Sequence, residues 1–510
     1  MSLSHSKNGS ADADSWEIKL PTYDANESSN TSLDDAQLRR LGYQPRLSRN
    51  FGLMSMLGLS CSVVMSWESG LANTVSALMN GGPAGMIYSF LVSWVGMVSV
   101  YSVLGELASA APTAGGQYYW VAWIAPKRYR KFLAYETAWL TNLAWQASFV
   151  STTYVLATMV QGIAKLNSPS SYQAENWHTM LIQWAFAILA ILINCTTGHT
   201  LALLEGAVLI LHLAGFFAIL IPLVYLSPHN SASSVFTTFI NEGGWSTQTL
   251  SFFVGFPVIS TTLCSADCAV HMSEEIQGAA VVVPRALLYG VMLDGILTFG
   301  MILGMLFCIV DLESALQAKE VIFYPYLEVF RVGVNSAHGA AAMGSIIVVL
   351  GTASAVGIVA SASRLMWSFA RDRGLPGDKY LVKIPIATIL VTLVICMVLS
   401  LLDLGLTVVL GNILSVIVSA LYSSYLLAAG LLLWRRCAGG SSLPEPLGTL
   451  NNVFACLYCA LLLFWSFWPG EPNPSLKAAN WSPLVYAGVV VFSLVWYVWR
   501  ARHYFQGPMI

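Results

Sequence analysis

Two short polar runs sit inside otherwise apolar stretches. Ser66-Trp67-Glu68-Ser69-Gly70 brings a carboxylate, two hydroxyls and a glycine into one apolar stretch. Ser260-Thr261-Thr262-Leu263-Cys264-Ser265-Ala266-Asp267 does the same in another, just after Gly255-Phe256-Pro257, a trio that weakens a helix. Where a helix is interrupted, N–H groups are freed at the start of one half and C=O groups at the end of the other. Freed N–H groups can hold a carboxylate and freed C=O groups an ammonium, which suits a zwitterion. The candidate binding residues are therefore Ser66, Trp67, Glu68, Ser69 and Gly70 in the first run, and Thr261, Thr262, Cys264, Ser265 and Asp267 in the second. Polar kinks also serve plain helix packing. Two interruptions five helices apart favour binding, because paired breaks mark inverted-repeat transporters.

Other ionisable residues fall in apolar runs, where charge is costly and points to function. Glu68 faces an amine or a proton, or else is a structural acid bonded to freed N–H groups. Asp267 begins the second half of its helix, as ligand contact or as N-cap. Glu205 and His212 are seven residues apart and so share a helix face. They fit a proton relay, since His titrates near neutrality, or a structural bridge to a neighbouring helix. Glu68, Glu205 and His212 are the candidates for proton coupling. Asn142, Trp145 and Gln146 read as helix-packing residues more than as a substrate path. Glu274-Glu275 and Arg364 read as parts of an inner gate or loop bridge.

The elements that must carry these residues are membrane helices. Of 510 residues 56% are hydrophobic and 10% charged, against roughly 25% charged in soluble domains. A spanning helix needs roughly 20 mostly apolar residues. Twelve such stretches are expected at 51–79, 83–107, 132–164, 180–196, 201–226, 250–273, 285–310, 339–366, 384–403, 406–434, 450–468 and 482–500. They are too long and too continuously apolar for barrel strands. With the N-terminus inside, 20 of the 24 Lys and Arg fall on the cytoplasmic side, as the positive-inside rule requires. The predicted fold is all-α and polytopic, a 5+5 inverted repeat (51–226 and 250–434) followed by two helices (450–500). Residues 1–50, rich in Ser, Asn and Asp, are expected to form a disordered cytoplasmic tail, and 501–510 a short cytoplasmic C-terminal tail. Asn480-Trp481-Ser482 is a glycosylation triplet on the outer side.

Several classes are disfavoured. A net charge of −2 gives no reason to expect nucleic acid. Cys456-x-x-Cys459 lies in an apolar run without a second ligand pair, so no metal is expected. No cofactor is implied, and no Gly-rich phosphate loop, His-Glu-x-x-His or Gly-x-Ser-x-Gly run occurs, so an enzyme or ATP-driven pump is not expected.

A further set of motifs carries a resemblance. Asn80-Gly81-Gly82-Pro83 opens the second span and Leu104-Gly105-Glu106-Leu107-Ala108-Ser109 closes it. Pro112-Thr113-Ala114-Gly115-Gly116-Gln117-Tyr118-Tyr119-Trp120 follows. Later come Ala266-Asp267-Cys268 through Ser273-Glu274-Glu275, Pro284-Arg285-Ala286, Ser363-Arg364 and Ala370-Arg371-Asp372-Arg373-Gly374-Leu375-Pro376. This set resembles the amino acid–polyamine–organocation superfamily, and within it the fungal amino acid, choline and 4-aminobutyrate permeases. The resemblance implies a leucine-transporter-type fold, alternating access, proton symport and a solute held between the breaks of helices 1 and 6, with Ser69 and Gly70 at its carboxylate. It implies an amino acid, 4-aminobutyrate, choline or similar amine as substrate, protons and the lipid bilayer as further partners, and a plasma membrane more than a vacuolar location. Glu136 and Asp294 are carboxylates where neutral residues are expected. A vacuolar or export transporter serving a specialised pathway, and a nutrient sensor built on the same fold, are the alternatives.

Overall fold

The computed structural model describes residues 27–196, 200–382, 385–404, 409–438, 446–505 and 507–508. Among them every regular element is helical, apart from one isolated parallel bridge between Phe51 and Ile276. Residues 1–26, which begin the expected tail, lie outside the described residues, as do Gln506, Met509 and Ile510 of the C-terminal one.

The chain opens with α1 (Glu27–Arg40) and then enters the bundle through α2 (Leu53–Val64) and α3 (Ser66–Ala72). Next comes α4 (Thr74–Ala110), which bends at Gly82, followed by the short buried α5 (Gln117–Ile124) and α6 (Arg130–Asn167). α7 (Asn176–Thr196) and α8 (Leu201–Leu226) complete the first half, and α9 (Ala232–Thr237) lies in the link to the second. There α10 (Gln248–Ser260) and α11 (Cys268–His271) form a broken pair, and α12 (Ala279–Cys308) follows. An outer loop holds α13 (Leu312–Gln317), α14 (Lys319–Ile322) and α15 (Pro325–Gly333). Then come α16 (Ala337–Arg371), α17 (Asp378–Leu381), α18 (Pro385–Leu399), α19 (Val409–Cys437), α20 (Leu447–Ser466) and α21 (Ser482–Trp496).

Nine helices among the described residues are long and apolar enough to cross a membrane. Beside them stand broken or shorter apolar helices: α2 with α3, α10 with α11, and α18. The protein is a multi-pass membrane protein. α6, with 38 residues, is about 57 Å long at 1.5 Å per residue, nearly twice the ~30 Å hydrocarbon core. Its first turns, from Arg130, lie at the end rich in Lys and Arg, called the inner end below.

Local sequence explains the bends. Gly82 has φ 67°, and a Cβ there would meet the Ile240 backbone nitrogen at 2.8 Å. Only glycine fits, and Pro83, which cannot continue the hydrogen-bond ladder, starts the next straight segment. Gly58 on α2 is a second such contact. A Cβ there would lie 2.2 Å from the Glu205 backbone oxygen on α8, so the two helices touch backbone to backbone.

Two expectations need correction. The seventh stretch, expected from 285, begins at Ala279 and takes Pro284 into its second turn, where the ring removes one ladder hydrogen bond. The tail was expected to be disordered to residue 50, yet residues 33–51 pack across the inner end. The Asp34 carboxylate accepts from the Gly278 N–H at 2.8 Å, and Arg49 donates to Asp35 at 3.1 Å and to the Ile276 carbonyl at 3.0 Å. The Phe51 and Gln277 backbones bond across the bridge. A few anchoring side chains order the segment despite its polar average composition. At the outer end, the Asn480 amide donates to the Ser466 and Trp468 carbonyls, and Ser482 is buried. The folded protein thus keeps that glycosylation triplet engaged.

Candidate functional site

Both expected interruptions exist. The first lies at Met65, in the left-handed region with φ 47° and ψ 50°, one residue before the polar run. Ser66–Ala72 is helical. The second spans a 3-10 turn at Thr261–Leu263 and the irregular Cys264–Asp267, with Ser265 at φ 74°. Backbone freed at membrane depth must find partners, and side chains from other helices supply them. Ser354 Oγ on α16 donates to the Val63 carbonyl at 3.2 Å. Tyr101 on α4 donates to the Leu263 carbonyl at 2.8 Å, and its oxygen accepts from the Ala266 N–H at 3.1 Å. Asn73, just after α3, ties the two broken helices together, donating to the Val258 carbonyl and to Thr261 Oγ1 at 3.2 and 3.0 Å.

Between the breaks lies a cavity of about 90 Å³. Of the ten candidate binding residues, Glu68, Ser69, Thr261, Cys264 and Ser265 line it. The other five do not. Ser66 Oγ donates instead to Asp294 at 3.0 Å. Trp67 packs against His212 and Phe216. Gly70 turns toward α12, where a Cβ would sit 3.1 Å from Thr298 Cγ2. Thr262 Oγ1 donates back to the Ile259 carbonyl. Asp267 neither caps α11 nor reaches the cavity; it accepts from Gln117 at 2.6 Å and Tyr425 at 2.8 Å, with His271 Nε2 at 3.5 Å. Sequence reasoning missed Asn73, and it missed Ser148, Ser151 and Thr152, which give α6 a hydroxyl face on the cavity. The 3-4 spacing of those hydroxyls was the available signal.

Behind Glu68 stands a charged cluster. Its Oε1 is 2.9 Å from His212 Nδ1, and His212 Nε2 is 3.7 Å from Asp294 Oδ1. All three side chains are buried. Glu68 Oε2 and Asp294 Oδ2 have no hydrogen-bond partner. The cluster holds two carboxylates and one imidazole, so even with a charged imidazole one negative charge stays uncompensated. In so buried a place that charge calls for a proton or a cation. Glu205, expected to act beside His212, is buried elsewhere, next to Ser62 on α2 and Gly357 on α16. Neither of its oxygens has a partner of hydrogen-bond geometry. Of the helix-packing candidates, Trp145 meets His271 edge-on, while Asn142 and Gln146 border a different cavity.

The inner end is closed. Arg371 binds Glu274 through two bonds of 3.0 and 2.8 Å, and Arg364 binds Glu275 at 2.8 Å. The Arg371 guanidinium also lies 3.8 Å over the Tyr43 ring. Tyr43 and Tyr118 both donate to Asp372, at 2.9 and 3.0 Å. Leaving one member of such a buried pair alone costs about 3–5 kcal/mol, so this end stays shut unless the whole set yields together. The cavity, in contrast, lies at mid-depth and extends outward along Ala72, Met159 and Leu410. No group of His, Cys, Asp and Glu able to hold a metal occurs among the described residues.

Comparison with known proteins fits this geometry. The family described as "Amino acid permease" matches residues 51–495. A putative amino acid/polyamine transporter of Macrophomina phaseolina is 29% identical over 424 residues, covering 79% of this chain and 92% of the relative. The choline transporter of Saccharomyces cerevisiae is 27% identical over 471 residues, 90% of this chain and 83% of the relative. An amino-acid permease of Arabidopsis thaliana is 24% identical, covering 93% of this chain and 96% of the relative.

Proposed function

The chain belongs to the amino acid permease family, and from that premise we propose that it carries a small amino acid or related amine by alternating access, coupled to proton entry. The observation that carries this reading is the Glu68 carboxylate, which borders the cavity with one oxygen unpartnered and backs onto His212 and Asp294. A substrate ammonium against Glu68 supplies the missing positive charge. A proton on the His212 imidazole supplies the other, so the two carboxylates are neutralised only when proton and substrate are aboard together, as symport requires. Ser69, Thr261, Ser265 and the hydroxyls of α6 supply neutral hydrogen-bond partners for the rest of the solute. A cavity of about 90 Å³ is small beside the ~300–1,000 Å³ of drug-sized sites, which favours a compact solute over a peptide. The names of the fungal relatives, an amino acid/polyamine transporter and a choline transporter, support an amine. Plasma membrane is the favoured location.

The test is Glu68→Gln, which keeps shape and hydrogen bonding but removes ionisation. Uptake should lose its dependence on outside pH and weaken selectively for cationic amines, while Glu205→Gln leaves both features in place. If Glu68→Gln matches the parent for every solute at every pH, and Glu205→Gln does not, the coupling group is Glu205.

A further inference from the structure

A second cavity, of about 560 Å³, lies on the other side of α19 from the polar one. Its walls come from α6, α18, α19 and α21, and almost every surface it presents is hydrocarbon. On α6 the lining runs from Trp139 to Val150, about 17 Å at 1.5 Å per residue. Below it reaches Leu375–Leu381 after the inner end of α16, and above it reaches Asn412 and Trp481 at the outer ends of α19 and α21. It therefore runs along most of the bilayer core. Spread over roughly 17–30 Å, 560 Å³ gives a section of roughly 20–35 Å². That is a long narrow slot, the shape of extended hydrocarbon chains and not of a compact ring system.

One turn of α19 separates this slot from the polar cavity. Ile413 and Val416 face the slot, while Leu414 and Ile417 face the polar side. Ala147, Val416 and Ile417 form a small apolar cluster, distinct from the main core, with Leu143, Ile413 and Leu414 packed on it. The wall is thin and lacks backing on the slot side. α21, which closes the slot laterally, is mostly exposed to the surroundings. Apolar walls along such a length gain dispersion contacts from hydrocarbon lying between them.

We propose that the slot is a binding site for phospholipid acyl chains, which back the α19 wall of the polar cavity. Bilayer hydrocarbon surrounds its open side, matches its apolar lining and has its length. Any such chain presses on the same turn of α19 that Leu414 and Ile417 present to the polar cavity.

The experiment uses the full-length protein in vesicles containing a phospholipid with a diazirine in one acyl chain. After irradiation, labelled peptides are quantified by mass spectrometry. Labelling of α6, α18 and α21 peptides that line the slot should exceed, several-fold, labelling around Leu203 and Ile210, which any surrounding lipid touches because they are 78% and 71% exposed on α8. Ala147→Leu and, separately, Val416→Trp fill the slot and should reduce its labelling while leaving α8 labelling unchanged, which also reports that the bundle is intact. Labelling of the slot no stronger than that of α8 would overturn the proposal. So would labelling by a diazirine sterol in place of the acyl probe, or slot labelling that persists in both filled variants.

Discussion

At the scale of single residues, the inner gate carries a pH signature of its own. Asp372 caps α16 and faces Tyr43, Tyr118, Arg371 and Glu274. Burial pushes its carboxyl up to about 6, against the opposing pull of Arg371 and the two phenols. Opening the gate wets this group and returns it toward the ordinary ~3.9. Between about pH 4 and 6 the closed form therefore binds more protons than the open one, and linkage makes acid favour closure. As inner pH rises through 6 the proton leaves and that contribution is lost. Thiol labelling of buried Cys268 from the inner side, read by mass spectrometry, should thus slow as inner pH falls from about 7 to about 5. Asp372→Asn should keep only the slowing that loss of thiolate in acid imposes on any thiol, so the parent should slow more than the variant. A parent that slows no more than Asp372→Asn would refute the assignment.

At the scale of elements, the close approach of α2 to α8 at Gly58 is a firm constraint, because the atom a Cβ would strike is backbone. Overpacking of this kind costs about 1–3 kcal/mol. Gly58→Ala should lower the thermal midpoint of the purified protein and the yield of folded material, and an unchanged midpoint would contradict the described packing. Gly70→Leu belongs to the same class. The sequence suggested bare backbone at the substrate, but the contact is with Thr298 and Ile302 on α12, so lost packing should accompany lost transport. The two breaks were legible because polar residues inside apolar runs are conspicuous. The site of the first was not, because nothing about a methionine announces left-handed backbone, and the carboxylate at 68 marks the cavity and not the kink. The partnership of Glu68 with His212 and Asp294 joins residues more than 140 positions apart, which spacing within one helix cannot reveal. The order in residues 33–51 was hidden for a different reason: an average over fifty polar residues outweighs Tyr43, Arg49 and Phe51.

At the scale of the whole molecule, the bundle is closed at its basic end and hollow between its broken helices. The distribution of Lys and Arg predicts that both termini lie on the inner side, so a reporter fused after Ile510 should stay in the cytoplasm, and its appearance outside would refute the topology. The same architecture suits a carrier, an exporter and a sensor, and flux separates them. The most direct measurement is uptake of labelled amino acids, 4-aminobutyrate, choline and polyamines into vesicles of the purified protein under an imposed pH gradient. The account predicts that at least one compact amine accumulates when the outside is acidic, and that a protonophore collapses the accumulation. Binding of such an amine without flux, or uptake indifferent to the gradient, would contradict it.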